Sequence, residues 1–353
     1  MTHTRTLFGT MPNGDEIFKY TLVNTQGASF NIINYGAIVQ SLMVPDRNGQ
    51  LADVVLGCDT LDGYLHNNPY LGAIVGRYGN RIHNGKFELN GQSIQLAQND
   101  GAQHLHGGPV GFDKKVWELE PFETDQGTGV LAKLESPDGE ENYPGAVQLE
   151  VRIMLTNNNE LQFDYIGTSD QTTLLNPTHH SYFNLSGNLG SSIENHTLQI
   201  NASAYTPVDS ALIPLGPIEE VDNTPMDFRA PTRIGDNLAK ENDQLRHGGG
   251  IDHNFVLNDY QPSQRRKVAY LAEATSGRTM EVVTDQPGLQ IYTGNNLNGA
   301  VIGKENIAYG HRCGICLEAQ HYPDSPNRPE FPSTVLSPNE TYRQFTAYRF
   351  GAI

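Results

Sequence analysis

The sequence predicts an all-β fold, one large antiparallel β-sandwich. Three observations carry this: apolar residues alternate with a period of two, Gly-, Pro- and Asn-rich turns separate the alternating runs, and helical periodicity is scarce. Residues 32–33, 38–44 and 53–56 read as the first strands. Phe87-Glu88-Leu89 and Ile94-Gln95-Leu96 flank Asn90-Gly91, a pair that accepts the left-handed backbone of a two-residue hairpin turn. Val147, Leu149, Val151, Ile153 and Leu155 alternate, the chain turns at Asn157-Asn158-Asn159, and Leu161, Phe163 and Tyr165 alternate back. Residues 198–200, 281–284 and 289–292 are further strands, and the best helix candidate spans 237–245. The 353-residue length would suggest about two domains. With no long linker, repeat or low-complexity tract, a single domain over 1–353 is the simpler expectation.

Composition narrows the function classes. The formal net charge of -17, from 23 Lys+Arg against 40 Asp+Glu, leaves no basic surface to neutralise phosphates, so nucleic acid is not an expected partner. No stretch approaches the roughly 20 apolar residues of a membrane span, and the start, MTHTRTLFGTMPNGDE, lacks the apolar core of a signal peptide. The expectation is a soluble cytoplasmic protein with no membrane partner. Three cysteines agree with a reducing compartment, in which the sequons at Asn184, Asn195, Asn201 and Asn339 stay unmodified. Cys313 and Cys316 stand three apart in a strand-like run, so their sulfurs should point to opposite faces, as buried thiols rather than a redox or zinc pair.

Several polar clusters interrupt the apolar pattern. In "PTHHSYFNL", strand alternation puts His179, Ser181, Phe183 and Leu185 on one face and His180, Tyr182 and Asn184 on the other. The face that ends in Phe and Leu packs on a core, which leaves His180 as the site candidate; the alternative is a histidine satisfied by a backbone carbonyl. In "CGICLEAQH", Gly314, Cys316, Glu318 and Gln320 share a face. Glu318 lies past two small residues in an apolar strand, where a ligand could approach and desolvation would raise the carboxyl pKa; the alternative is a structural ion pair.

"HLHGG" puts His104 and His106 on one face of a short strand, but no acidic residue follows three or four positions on to pair with them in a metal site. "VGRYGNRI" offers Arg77, Asn80 and Arg81 around a glycine turn, with solvated surface as the alternative. "GGGIDHNFVL" sets Asp252 at a strand start, with turn capping as the alternative, and "DQPGLQIYTGN" puts Gln290 and Tyr292 on one strand face. The inventory suits a neutral polyhydroxylated ligand, whose hydroxyls need both donors and acceptors. The glycine-rich turns at 107–108 and 248–250 lack the strand and helix context of a nucleotide loop.

The strings "GRYGNRI", "HLHGGPVGFDKKVW", "PTHHSYFNLSG", "GIDHNFVL", "QPGLQIYTGN" and "CLEAQHYPDSPNRPEFPSTVLSPNETY" occur in the order and approximate spacing found in aldose 1-epimerases, the galactose mutarotases. From about residue 7 to the C-terminus the chain resembles that family. The resemblance implies a single-domain antiparallel β-supersandwich, a monosaccharide bound in an open cleft, and neither metal nor organic cofactor. It implies Glu318 as general base and His180 as general acid, with Asn80, Arg81, His106, Asp252 and Gln290 at sugar-contacting positions. Tyr78-Gly79 and the doubled histidine are local variations that remove no matched functional residue.

Anomer interconversion needs a base for the C1 hydroxyl proton and an acid for the ring oxygen, which the resemblance assigns to an ionised Glu318 and a protonated His180. Reference pKa values of about 4.3 and about 6.5 make both states accessible without extreme tuning. Tyr292 could offer an aromatic face to the sugar, or pack in the core. Alternatives are a glycoside hydrolase using Glu318 with Asp252, and a sugar-binding module or a relative acting on sugar phosphates; acidic composition counts against phosphate.

Overall fold

The computed structural model describes residues 3–66 and 68–353, and its strands form three main sheets. An N-terminal meander of five strands runs His3–Thr10, Glu16–Val23, Ser29–Ile33, Ile38–Pro45, Leu51–Asp53. The nine-stranded sheet includes Gly127–Ser136, Val147–Thr156, Glu160–Ser169 and Arg278–Thr284, with Tyr342–Ala352 between the last two. The second five-stranded sheet orders Glu219–Glu220, Ala202–Tyr205, Asp252–Leu257, Gly288–Tyr292, Cys316–Gln320. Neighbouring strands pair antiparallel in all three, as an antiparallel sandwich requires.

Alternation translates directly into burial. Val147, Leu149, Val151 and Ile153 are buried, while Gln148 and Glu150 between them are exposed. The core joins the inner faces of the sheets through Val151, Phe163, Phe255, Leu289, Leu317 and Tyr348. A fully buried ring such as Phe163 contributes about 3–5 kcal/mol relative to alanine. The predicted hairpin forms between Lys86–Leu89 and Gln92–Gln95, with Asn90 and Gly91 at φ 52° and 75°.

Two expected elements end early. Regular pairing stops at Asp53 because its carboxylate accepts the Leu42 and Val55 N–H groups (3.0 and 3.2 Å); beyond it Val55 makes only an isolated bridge to Phe183. The helix expected over 237–245 is two short helices, Ile234–Leu238 and Asp243–Gly248. Asn242 separates them: its side chain accepts the Gln244 N–H, the capping role asparagine prefers over a helix interior. Among the described residues, no helix is long and apolar enough to cross a membrane.

Register in the second five-stranded sheet sets its polar residues in rows. Asp252, Tyr292 and Cys316 lie opposite one another across its last three strands, and Asn254, Gln290 and Glu318 form the next row. Two short ladders, Thr178–His179 with Ile74–Val75 and Arg81–Ile82 with His104–Leu105, anchor the segments carrying His180, Asn80, Arg81 and His106.

Candidate active site

Most of the polar residues singled out in the sequence meet in one cleft of about 130 Å³. Asn80, Arg81, His106, His180, Asp252, Tyr292 and Glu318 line it, together with Pro69, Tyr70, Leu105, Tyr182 and Asn296. Gln290 does not line it. Its Nε2 instead donates to Asp252 Oδ1 at 2.7 Å, which makes it a support for that carboxylate.

His180 reaches the cleft because the alternation of "PTHHSYFNL" persists where the ladder stops. His180 N–H donates to Ala73 O (2.9 Å), and Phe183 pairs with both Ile315 and Val55, so the segment is held extended on both sides. His179 points the other way, stacked 4.1 Å from Phe163 and bonded to Ser181 Oγ at 2.7 Å. Asn184 shares the His180 face by alternation but donates to the Cys313 and Ser191 carbonyls (2.9 and 2.8 Å), a structural role.

Glu318 is 2% exposed, and its Oε1 lies 3.7 Å from His180 Nε2. The small residues before it do not clear space for a ligand, as their size suggests. A Cβ on Gly314 would come within 2.8 Å of the Tyr182 Cβ, and Cys316 Sγ packs 3.6 Å from His180 Nδ1. Their smallness lets the His180 segment approach the strand that carries Glu318.

His104 and His106 do not share a face. The strand ends at Leu105 and His106 takes φ 50°, which turns its ring toward the cleft. His104 is buried between the Ala97 carbonyl and the Tyr143 hydroxyl, 2.6 Å from each. The turn needs glycine next: a Cβ on Gly107 would fall 1.8 Å from the Gly76 carbonyl oxygen. Asn80, also left-handed at φ 64°, donates its N–H to His106 Nδ1 at 3.1 Å. Arg81 Nε is paired with Asp100 Oδ2 at 2.7 Å. Arg77 is neither surface nor site: it is buried, bonding Ser136 Oγ and the Pro137 and Gly145 carbonyls.

Burial moves both reactive groups away from the charge states that reference values suggest. It pushes the Glu318 carboxyl well above its ordinary range, with the nearby Asp252 charge adding and Arg81 opposing. It pushes His180 down to about 4, partly offset by a hydrogen bond to its own main chain. Asp252 is raised by burial against Arg81 and Gln290, and His106 is held well below its usual value by burial and the neighbouring His180 and Arg81. Burial thus drives each group toward its neutral form.

Ligand atoms of His106, His180 and Glu318 lie within 4.8 Å of one another, a donor set that zinc accepts by residue type. The His106 tautomer does not fit. Because Nδ1 accepts the Asn80 N–H, Nε2 carries the hydrogen in the neutral ring and has no lone pair for an ion. Metal-binding histidines normally donate from their second nitrogen. The same arrangement makes His106 Nε2–H a fixed donor.

Sequence reasoning missed Tyr70, whose ring lies 4.5 Å from His106 and 5.7 Å from His180. Its φ of 63° places it in a turn outside any alternating run, so no periodic signal marks it. Tyr182 was on the correct face by alternation, 5.2 Å from the His180 ring, and Asn296 follows the "QPGLQIYTGN" motif by one residue.

The chain is similar to known proteins along nearly its whole length. The family model described as aldose 1-epimerase matches residues 19–349. Galactose mutarotase of Mus musculus is 42% identical over 347 residues, covering 98% of each chain. Aldose 1-epimerase of Escherichia coli is 35% identical over 341 residues, covering 96% of each. The crystal structure of galactose 1-epimerase from Lactobacillus acidophilus superposes with a TM-score of 0.86 at 31% identity, covering 99% of this chain and 98% of that one.

Proposed function

The chain belongs to the aldose 1-epimerase family, and from that premise we propose that it interconverts the α and β anomers of hexoses such as galactose and glucose. The observation that carries the assignment of roles is the approach of Glu318 Oε1 to His180 Nε2 in the cleft, 3.7 Å. Ionised Glu318 takes the proton of the C1 hydroxyl while His180 Nε2 gives one to the ring oxygen. The C1–O5 bonding pair leaves with O5, an aldehyde forms at C1, rotation about C1–C2 turns its other face, and closure reverses both transfers. The cycle calls on no metal or organic cofactor.

After opening, Glu318 is protonated and His180 neutral, which is the state that burial favours. The ion pair that begins the next opening differs only in where the single proton sits. Mutual attraction across 3.7 Å is worth about 4 kcal/mol at an effective dielectric constant of about 20, which offsets part of the desolvation cost of the charged state. Burial therefore lowers the open-chain side of the barrier, and the sugar's hydroxyl donors stabilise the carboxylate on the other. His106 Nε2–H is suited to hold charge developing near the ring oxygen. Arg81 and Asp252 are suited to orient the remaining hydroxyls.

Because the active pair carries one proton and His180 accepts a second only near pH 4, kcat/KM is expected to stay level from pH 7 to 5 and fall as pH drops through about 4. Polarimetric rates corrected for the uncatalysed reaction read this; half-loss centred near 6.5 would contradict it. Arg81→Ala should raise KM by roughly ten- to a hundredfold, the scale of a lost charge-assisted hydrogen bond, with kcat changing less. Unaltered KM and kcat would remove Arg81 from substrate binding.

One functional unit is supported by the family match from 19 to 349 and by the strand Tyr342–Ala352, which pairs with both Glu160–Ser169 and Arg278–Thr284. Three buried free cysteines suit a reducing cytoplasmic location. The acidic balance suits a small neutral substrate rather than nucleic acid. Polarimetry of freshly dissolved α-D-galactose and α-D-glucose tests the activity: faster approach to equilibrium with the protein is expected, and the uncatalysed rate with both sugars would refute it.

A further inference from the structure

The proposed catalytic cycle, on which this inference rests, asks something particular of His180. Nε2 must release a proton during opening and take one back during closure, so the neutral ring must keep its hydrogen on Nδ1 throughout. His106, 5.1 Å away ring to ring, is locked in the opposite form by the Asn80 N–H. Two adjacent imidazoles therefore need different tautomers, and the protein must supply a different Nδ1 partner to each.

For His180 that partner is Cys316. Its Sγ lies 3.6 Å from Nδ1, both side chains are buried, and the Cys316–Tyr292 pairing holds it at the start of the strand that carries Glu318 two residues on. We propose that Cys316 is a positioning residue whose sulfur accepts the Nδ1–H of His180, confining proton exchange to Nε2. A thiol can donate or accept, and the catalytic cycle selects acceptance. Donation from sulfur would put the neutral ring's hydrogen on Nε2, where no lone pair would remain to take the proton back from O5.

Neither cysteine of "CGIC" lines the cleft, and Cys316 is the one that reaches His180, from behind the ring. A sulfur acceptor is weak and polarizable, so it holds the tautomer without strongly raising the imidazole pKa, as a carboxylate in its place would.

The test uses the full chain labelled with [15N]histidine, without sugar. Long-range 15N–1H spectra at pH 7 report which ring nitrogen carries hydrogen, and the His180 signals are those absent from His180→Asn. The expected result is hydrogen on Nδ1 of His180 and on Nε2 of His106. Cys316→Ala should turn His180 into a tautomer mixture, lower kcat about three- to tenfold with KM little changed, and move the acid limb further down; Cys316→Ser should restore most of kcat. Hydrogen on Nε2 of His180 in the parent protein would overturn the proposal, as would Cys316→Ala with an unchanged tautomer and kcat. Failure of the catalytic reading itself would appear separately, as normal turnover in His180→Asn.

Discussion

Glu318→Gln is expected to lower kcat for mutarotation by roughly 10²- to 10⁴-fold, the usual scale for removing a positioned base. Glutamine keeps the size and can still accept a hydrogen bond, but it cannot take a proton from the C1 hydroxyl. Folding should survive. Glu318 Oε2 has no hydrogen-bond partner among the described residues, and burial with the Asp252 charge already disfavours the carboxylate, so a neutral amide removes no fixed ion pair. Polarimetric kcat and a thermal melt on one preparation read both outcomes. A folded variant within tenfold of the parent would take Glu318 out of the chemistry.

His180→Asn should cost a similar factor for the complementary reason. Asparagine places an amide near the Nδ1 position, preserving a group against Cys316, and leaves nothing where Nε2 stood 3.7 Å from Glu318. KM should change much less than kcat if the imidazole acts on the ring oxygen rather than on the hydroxyls. Combining the two substitutions should cost little more than the worse single one, because the two proton transfers belong to one ring-opening step. Multiplicative losses would mean that they act in separate steps.

The strands of the nine-stranded sheet were legible because one face of each is buried: Val147 to Ile153 and Phe163 carry their direction in their polarity. The same logic chose His180 over His179. Alternation fails where residues leave the extended region, and much of the cleft is built there. Asn80, His106 and Tyr70 all have positive φ, so His106 separates from His104 and Tyr70 enters unannounced. Long-range contacts were hidden as well: Gln290 lies on the expected face, yet nothing local says its amide is committed to Asp252. Charge states were half legible: the apolar strand foretold the raised Glu318 carboxyl, whereas nothing local marked the burial that lowers His180. The structure favours a neutral Glu318 and a neutral His180, and so recasts an acid and a base as one pair passing one proton.

The most direct measurement of that account is the pair of distances, Glu318 carboxyl to O1 and His180 Nε2 to O5, in a crystal of the protein soaked with galactose. Both are expected at hydrogen-bonding length, about 2.6–3.2 Å, on opposite sides of the C1–O5 bond. A well-ordered sugar in the cleft with either group beyond reach of its oxygen, even through a bridging water, would contradict it.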